Sequence, residues 1–217
     1  MHAAGHADHE PGPSHVDAGA ASRAEATRAT ASHADVTRGT ASRADAARAA
    51  TGRAAAAVVP GAVITVSDRC ARGEAEDRSG PLAAALLAEL GVRADVVVVP
   101  DGVDSVRAAM GDALAAGARL VLTTGGTGIG PRDVTPEGTR PLLARELPGL
   151  AQAIRDRGAA TVPAAVLSRG LAGIAEGRDG DVLVVNAPGS PGAVRDAVAV
   201  LGPLVGHVLD QLAGGGH

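Results

Sequence analysis

The stretch TTGGTGIGPRDVTPEGT, residues 123–139, sets Gly125, Gly126, Gly128 and Gly130 just ahead of Arg132, Asp133 and the Thr135-Pro136 pair. Glycines this dense let backbone N–H groups close on an anion without side-chain obstruction, which is the chemistry of a phosphate-holding loop. Two familiar forms of such a loop do not fit. The Walker form needs Lys after the glycine at 130, but Pro131 stands there and all 20 basic residues of the chain are arginine. The dinucleotide fingerprint needs a glycine at 131, again proline, which argues against a Rossmann dehydrogenase. Asp101 and Asp133 fall at the rim of the expected phosphate pocket, where a bare carboxylate repels the ligand unless a cation intervenes. Magnesium suits that place, because it takes oxygen ligands and binds through one or two carboxylates plus substrate phosphates. Arg69 or Arg132 and the backbone amides would neutralise the remaining charge. Each aspartate has the alternative of capping its own turn.

These residues need a scaffold that brings distant turns together. Apolar runs at 62–66, 92–99, 120–124 and 182–186 alternate with helical patterns, the signature of an α/β domain with a mainly parallel sheet. Leu82, Leu86, Leu87 and Leu90 recur at helical spacing before Gly91, as do Val106, Ala109, Met110, Ala113 and Leu114 before Gly117. A third helix is expected to start at Thr135, with Thr135 as cap and Pro136 in first position, and a C-terminal helix at Ser190-Pro191 with a kink at Pro203. Each strand runs into a polar or glycine-rich turn: Ser67-Asp68-Arg69, Pro100-Asp101, the glycine loop, and Pro188-Gly189-Ser190. In a parallel sheet those turns share the carboxyl edge, where α/β proteins bind anionic ligands.

Composition bounds the rest. Residues 1–57 hold almost no large apolar side chains and contain a decapeptide repeated three times, ASRAEATRAT, ASHADVTRGT and ASRADAARAA. Ten residues match neither coiled-coil period, so residues 1–57 are expected to be a disordered low-complexity tail and 58–217 the folded domain. The tail histidines 2, 6, 9 and 15 have no cysteine beside them and suggest only adventitious metal binding. The single cysteine, Cys70, allows no internal disulfide and is expected to be a loop filler in a reducing cytoplasm. A net charge of −4 and the absence of Phe, Tyr and Trp argue against nucleic acid. No segment is expected to span a membrane, because the apolar stretch 54–66 is broken by Pro60 and Gly61. Any flat ring bound here must rest on peptide planes, aliphatic side chains or arginine.

The motifs SDR, TGGTG, PRDVTPEGT, ELPG, LSR and PGSPGAV occur in one order between about residues 61 and 212. In that combination the region resembles the molybdopterin-binding MogA/MoaB family and the matching domains of gephyrin-like proteins. The related molybdenum-inserting and CinA-like domains lack RDVTPE after their glycine loops. The resemblance implies a three-layer α/β/α sandwich with a mixed sheet. It also implies transfer of AMP from magnesium ATP to the molybdopterin phosphate, with a non-catalytic binding or carrier role as the alternative. By motif, Asp101 and Asp133 correspond to the family's catalytic and metal-binding aspartates. Gly125, Gly126 and Gly128 correspond to its nucleotide and pterin loop, and Ser190 to the phosphate-contacting serine of its last loop. Ser67, Asp68, Arg69, Thr124, Thr127, Arg132, Pro188 and Gly189 are expected to bind substrate or nucleotide beside them; Ala187 stands where many relatives carry leucine. The resemblance further implies a cytoplasmic homo-oligomer, trimer or hexamer, that passes its product to a separate molybdenum-inserting enzyme.

Overall fold

A computed structural model describes residues 58–215, and the expected disordered tail at 1–57 lies outside the described residues. Six strands form one mixed sheet: β1 (Val59–Val66), β2 (Val92–Val99), β3 (Leu120–Thr124), β4 (Leu143–Glu146), β5 (Ala172–Gly177) and β6 (Gly180–Ala187). Their order is β2-β1-β3-β6-β5-β4; the first four are parallel, and β5 and β4 are added antiparallel. The helices are α1 (Asp68–Ala71), α2 (Ser79–Glu89), α3 (Val103–Ala115), α4 (Thr135–Thr139), α5 (Pro148–Ala159) and α6 (Pro191–Leu212).

The central strands read as unbroken apolar runs because both of their faces are buried. Val63, Leu122, Leu183 and Val185 pack with Leu87 of α2, Ile154 of α5 and Val194 and Leu201 of α6. Ile64, Val121, Val182 and Val184, one residue out of phase, pack on the opposite face with Val106 and Met110 of α3. That alternation makes the three layers. The β1-to-β2 crossover passes over the first face and the β2-to-β3 crossover over the second, so the chain changes direction between β1 and β3. In such sheets a ligand crevice opens at that point. Register aligns Val66 with Val99, Thr65 with Thr124 and Thr124 with Ala187, which brings the carboxyl ends of all four parallel strands level.

Two expectations are corrected. Thr135 does not cap its helix: it is the first residue of the five-residue α4, and its hydroxyl donates to the Gly125 carbonyl at 2.9 Å. The C-terminal helix starts behind its Ser190 cap as expected and runs for 22 residues with Pro203 inside it. That helix is also long and apolar enough to cross a membrane by composition, which the search for unbroken apolar stretches missed. Its apolar stripe, Val194, Ala197, Val198, Leu201 and Val205, is buried against the sheet instead.

Candidate active site

The glycine loop leaves β3 at Thr124 and meets the loop that leaves β6. Gly125 donates its N–H to the Ala187 carbonyl at 3.1 Å, and Thr124 Oγ1 donates to the Pro188 carbonyl at 3.1 Å. The two backbones touch, since a Cβ on Gly189 would stand 3.0 Å from Gly125 Cα. Gly125 itself has φ +103°, and a side chain there would collide with the Val66 carbonyl. Only glycine fits that position, for both reasons.

From Gly126 to Ile129 four successive backbone N–H groups have no hydrogen-bond acceptor among the described residues. The Gly189 and Ser190 N–H groups across the gap are likewise open. Ser190 Oγ accepts the Ala193 N–H at 3.1 Å as the cap of α6, which leaves its own hydroxyl hydrogen free to donate. Polar donors left open on two facing loops form an anion cradle, and the N-terminus of α6 adds its dipole.

The cradle floors an open cavity of about 750 Å3. Gly125, Gly126, Thr127, Gly128, Asp133, Pro188, Gly189 and Ser190, all expected from sequence, line it. Its far wall is the 3-10 turn Pro163–Leu167 and the segment before it, which sequence reasoning missed. Val162, Leu167 and, on the loop itself, Ile129 are 55 %, 51 % and 71 % exposed, an apolar wall in a chain without aromatic residues. Among the described residues, Arg195 is the only basic one on the cavity wall, and its side chain bonds nothing but the Pro191 carbonyl, at 3.4 Å. A smaller polar cavity of about 360 Å3, lined by Ser67, Cys70, Thr124 and the Glu76–Ser79 segment, adjoins at Gly189.

The aspartates are placed less simply. Asp101 Oδ2 accepts the Asp68 N–H at 2.7 Å and Asp68 Oδ1 accepts the Asp101 N–H at 3.1 Å, a reciprocal pair that locks the β1 and β2 turns together. Arg132 closes it, donating to Asp68 Oδ2 at 2.6 Å and the Asp101 carbonyl at 2.7 Å. An ion pair this exposed contributes only about 0–1 kcal/mol, so its effect is positional. Arg132 is therefore occupied. Arg69 is exposed and, with Asp68, Asp101 and Arg132, lines neither cavity. Ser67 Oγ caps α1 by accepting the Cys70 N–H at 3.3 Å. Asp133 Oδ2 caps its own loop by accepting the Gly130 N–H at 2.9 Å. The second oxygens of both carboxylates carry no hydrogen bond; Asp101 Oδ1 lies 3.3 Å from the place a Gly126 Cβ would take. No group of three or more His, Cys, Asp or Glu with metal-ligand spacing occurs among the described residues.

Two further residues hold the site together and were not singled out from sequence. Asn186, 3 % exposed at the end of β6, donates to Thr123 Oγ1 at 2.9 Å and Thr139 Oγ1 at 3.1 Å and accepts the Leu171 N–H at 3.1 Å. A buried asparagine ending an apolar run was the available signal, because such a group must be fully bonded. Arg169, in the LSR motif, donates to the Gly128 carbonyl at 2.7 Å, the Asp133 carbonyl and the Glu137 carboxylate. That guanidinium holds the Glu137 carboxyl below the usual carboxylate range.

Residues 62–207 match the model of a family described as a probable molybdopterin binding domain. The chain is 42 % identical over 148 residues to the molybdopterin adenylyltransferase of Pyrococcus furiosus, covering 68 % of this chain and 87 % of that protein. It is also 42 % identical over 156 residues to the molybdenum cofactor biosynthesis bifunctional protein of Synechococcus elongatus, covering 71 % of this chain and 48 % of that longer protein. Among solved structures, a molybdopterin biosynthesis protein from Mycobacterium abscessus superimposes with TM-score 0.67 at 49 % identity, covering 72 % of this chain and 98 % of its own.

Proposed function

The chain belongs to the molybdopterin-binding domain family, and from that premise we propose that it is a molybdopterin adenylyltransferase of molybdenum cofactor biosynthesis. A terminal phosphate oxygen of molybdopterin attacks the α-phosphorus of ATP; the bond from that phosphorus to the bridging oxygen breaks, and pyrophosphate leaves. Adenylyl-molybdopterin is the product. The observation that carries this reading is the row of four open N–H groups at 126–129 facing a second open loop at 189–190, inside a cavity roomy enough for a ring-bearing phosphate.

In phosphoryl transfer the protein's task is positioning and charge stabilisation rather than covalent work. The 126–129 amides and the Ser190 hydroxyl bind phosphate oxygens, and Arg195 supplies the positive charge that Arg69 and Arg132 do not bring to the cavity. The wall of Ile129, Val162 and Leu167 receives the flat ring that no aromatic side chain is present to stack. Asp101 and Asp133 fit magnesium, since each keeps one unbonded oxygen of the hard type that ion prefers. Magnesium held there with the ATP phosphates would supply charge neutralisation at the α and β positions.

The reading extends to a cytoplasmic protein that hands its product to a metal-inserting enzyme and works as a homo-oligomer, trimer or hexamer. Support for self-association on this chain is the free sheet edge, where Val96, Val97 and Val98 of β2 are exposed. The test is incubation with molybdopterin and magnesium ATP, reading adenylylated pterin and pyrophosphate by mass. Both are expected in equal amounts. Tight pterin binding without ATP consumption would overturn the enzyme in favour of a carrier.

A further inference from the structure

We propose that Arg169 is a positioning residue for the glycine loop, aiming its amides at the ligand by holding its carbonyls from behind. Its backbone N–H bonds the Thr127 carbonyl at 2.8 Å, its Nε the Gly128 carbonyl at 2.7 Å, and its Nη2 the Asp133 carbonyl. One residue therefore holds three carbonyls spread across the loop. In a planar trans peptide the C=O and the following N–H point opposite ways. Fixing the Thr127 and Gly128 carbonyls toward Arg169 thus turns the Gly128 and Ile129 N–H groups away from it, and neither has an acceptor among the described residues.

The guanidinium is itself held, since Nη1 and Nη2 both bond the Glu137 carboxylate on α4. Ser168, the neighbouring residue, adds a hydroxyl contact of 3.2 Å to Thr127 Oγ1. The remaining bonds of the loop lie elsewhere. Thr135 holds the Gly125 and Gly126 carbonyls at the loop's start, Gly130 and Asp133 bond each other within it, and Arg132 reaches out to Asp68 and Asp101. None of these fixes the orientation of the 127–128 and 128–129 peptides. Arginine is the residue the geometry requires, because a planar fork can serve two carbonyls and a carboxylate at once, whereas a lysine ammonium is a single point donor. The segment carrying Arg169 follows directly on the apolar wall at Pro163–Leu167, so the same strut sets the distance between ring wall and phosphate cradle.

The inference rests on the anion-binding reading of the cavity, and its test separates the two. Arg169→Ala, Arg169→Lys and Glu137→Gln are compared with wild type by amide hydrogen exchange and by calorimetric binding of inorganic pyrophosphate. Exchange is read at Gly130, Asp133 and Thr135, whose N–H groups are bonded within the loop region, and at the β3 amides as a control. Arg169→Ala is expected to speed exchange at the three loop amides but not in β3, and to weaken pyrophosphate by about tenfold, the loss of about one charge-assisted bond. Lysine should restore little of either; Glu137→Gln should fall between; millimolar guanidinium added to Arg169→Ala should recover part of the affinity. Wild-type exchange and affinity in Arg169→Ala would overturn the proposal, as would exchange raised equally in β3, which marks a general structural role. If Arg169→Ala does not fold, Arg169→Lys and Glu137→Gln decide by the same two readings. A wild type that binds no pyrophosphate would overturn the anion-site reading, while the exchange comparison would still decide the role of Arg169.

Discussion

Asp101 and Asp133 each spend one carboxylate oxygen on a neighbouring N–H and keep the other open. Asparagine retains the structural acceptor and loses the charge, so Asp101→Asn and Asp133→Asn should fold and bind pterin normally. Adenylyl transfer should fall by roughly two to three orders of magnitude, about 3–4 kcal/mol of transition-state stabilisation. If both serve one magnesium, the double variant is scarcely slower than the slower single one; turnover undiminished in both singles, measured at saturating magnesium ATP, would remove the metal assignment. Arg195 makes a different prediction, because it is exposed and free of carboxylate partners. Arg195→Ala should weaken pyrophosphate by about tenfold at low salt, with the difference shrinking as ionic strength rises. Calorimetry across a salt series checks it. Sequence reading singled out the loop glycines and aspartates because they cluster within a few positions of one another or of a strand end. It assigned the cation to Arg69 or Arg132, because nothing local reveals that Arg132 is committed to Asp68, 64 residues away.

Among the elements, the site depends on how α4, β3, β6 and the 168–171 segment are joined, and Asn186 is their common bond. Asn186→Ala leaves the Leu171 N–H and the buried Thr123 Oγ1 without a partner and takes one donor from Thr139 Oγ1, which keeps its bond to the Thr135 carbonyl. It should cost about 2–3 kcal/mol, lowering the thermal midpoint by roughly 5–10 °C. A midpoint within a degree of wild type by calorimetry would show that water replaces the amide. The apolar wall behaves otherwise. Leu167 is half exposed, so Leu167→Ala should leave the midpoint nearly unchanged but weaken ring-bearing ligands relative to pyrophosphate by about fivefold, on the order of 1 kcal/mol of apolar contact. Equal weakening of both ligands in a binding titration would place the ring elsewhere. β2 and β3 were legible to the residue and β1 and β6 to within a few, since double burial makes β1, β3 and β6 continuous apolar runs and the edge strand β2 carries its own run of valines at 96–99. β4, β5 and α5 were not. Leu143–Glu146 carries two charges in four residues, Ala172–Gly177 holds two glycines, and α5 buries only Ala151, Ile154 and Gly158. Such short or half-exposed segments take their form from the edge they complete.

At the scale of the whole molecule, the family match begins at residue 62 and the core is assembled from residue 63 onward. Removing residues 1–57 should therefore leave the thermal midpoint and adenylyl transfer of the remaining chain as they are in the full protein. Scanning calorimetry and the mass assay on residues 58–217 check both, and a midpoint lower by more than about 5 °C, roughly 1–2 kcal/mol, would mean that the repeats dock on the domain. Among the described residues the outer edge of β2 has no partner strand, and exposed valines on such an edge favour pairing with another chain.

By itself the sequence determined the layers, the parallel strands and the glycine loop, because hydrophobic period and glycine content are properties of neighbouring residues and act before any distant contact forms. It also determined which turns share the carboxyl edge, since parallel connection leaves no other arrangement. Only the tertiary structure decided which charges are spent and which remain available. Asp68 and Asp101 face each other across 33 positions, Arg169 reaches the glycine loop across 41, and Arg195 is left alone on the cavity wall. Partners that far apart in sequence are chosen by the packing of the sheet, and a side chain's type does not say whether packing will give it a mate.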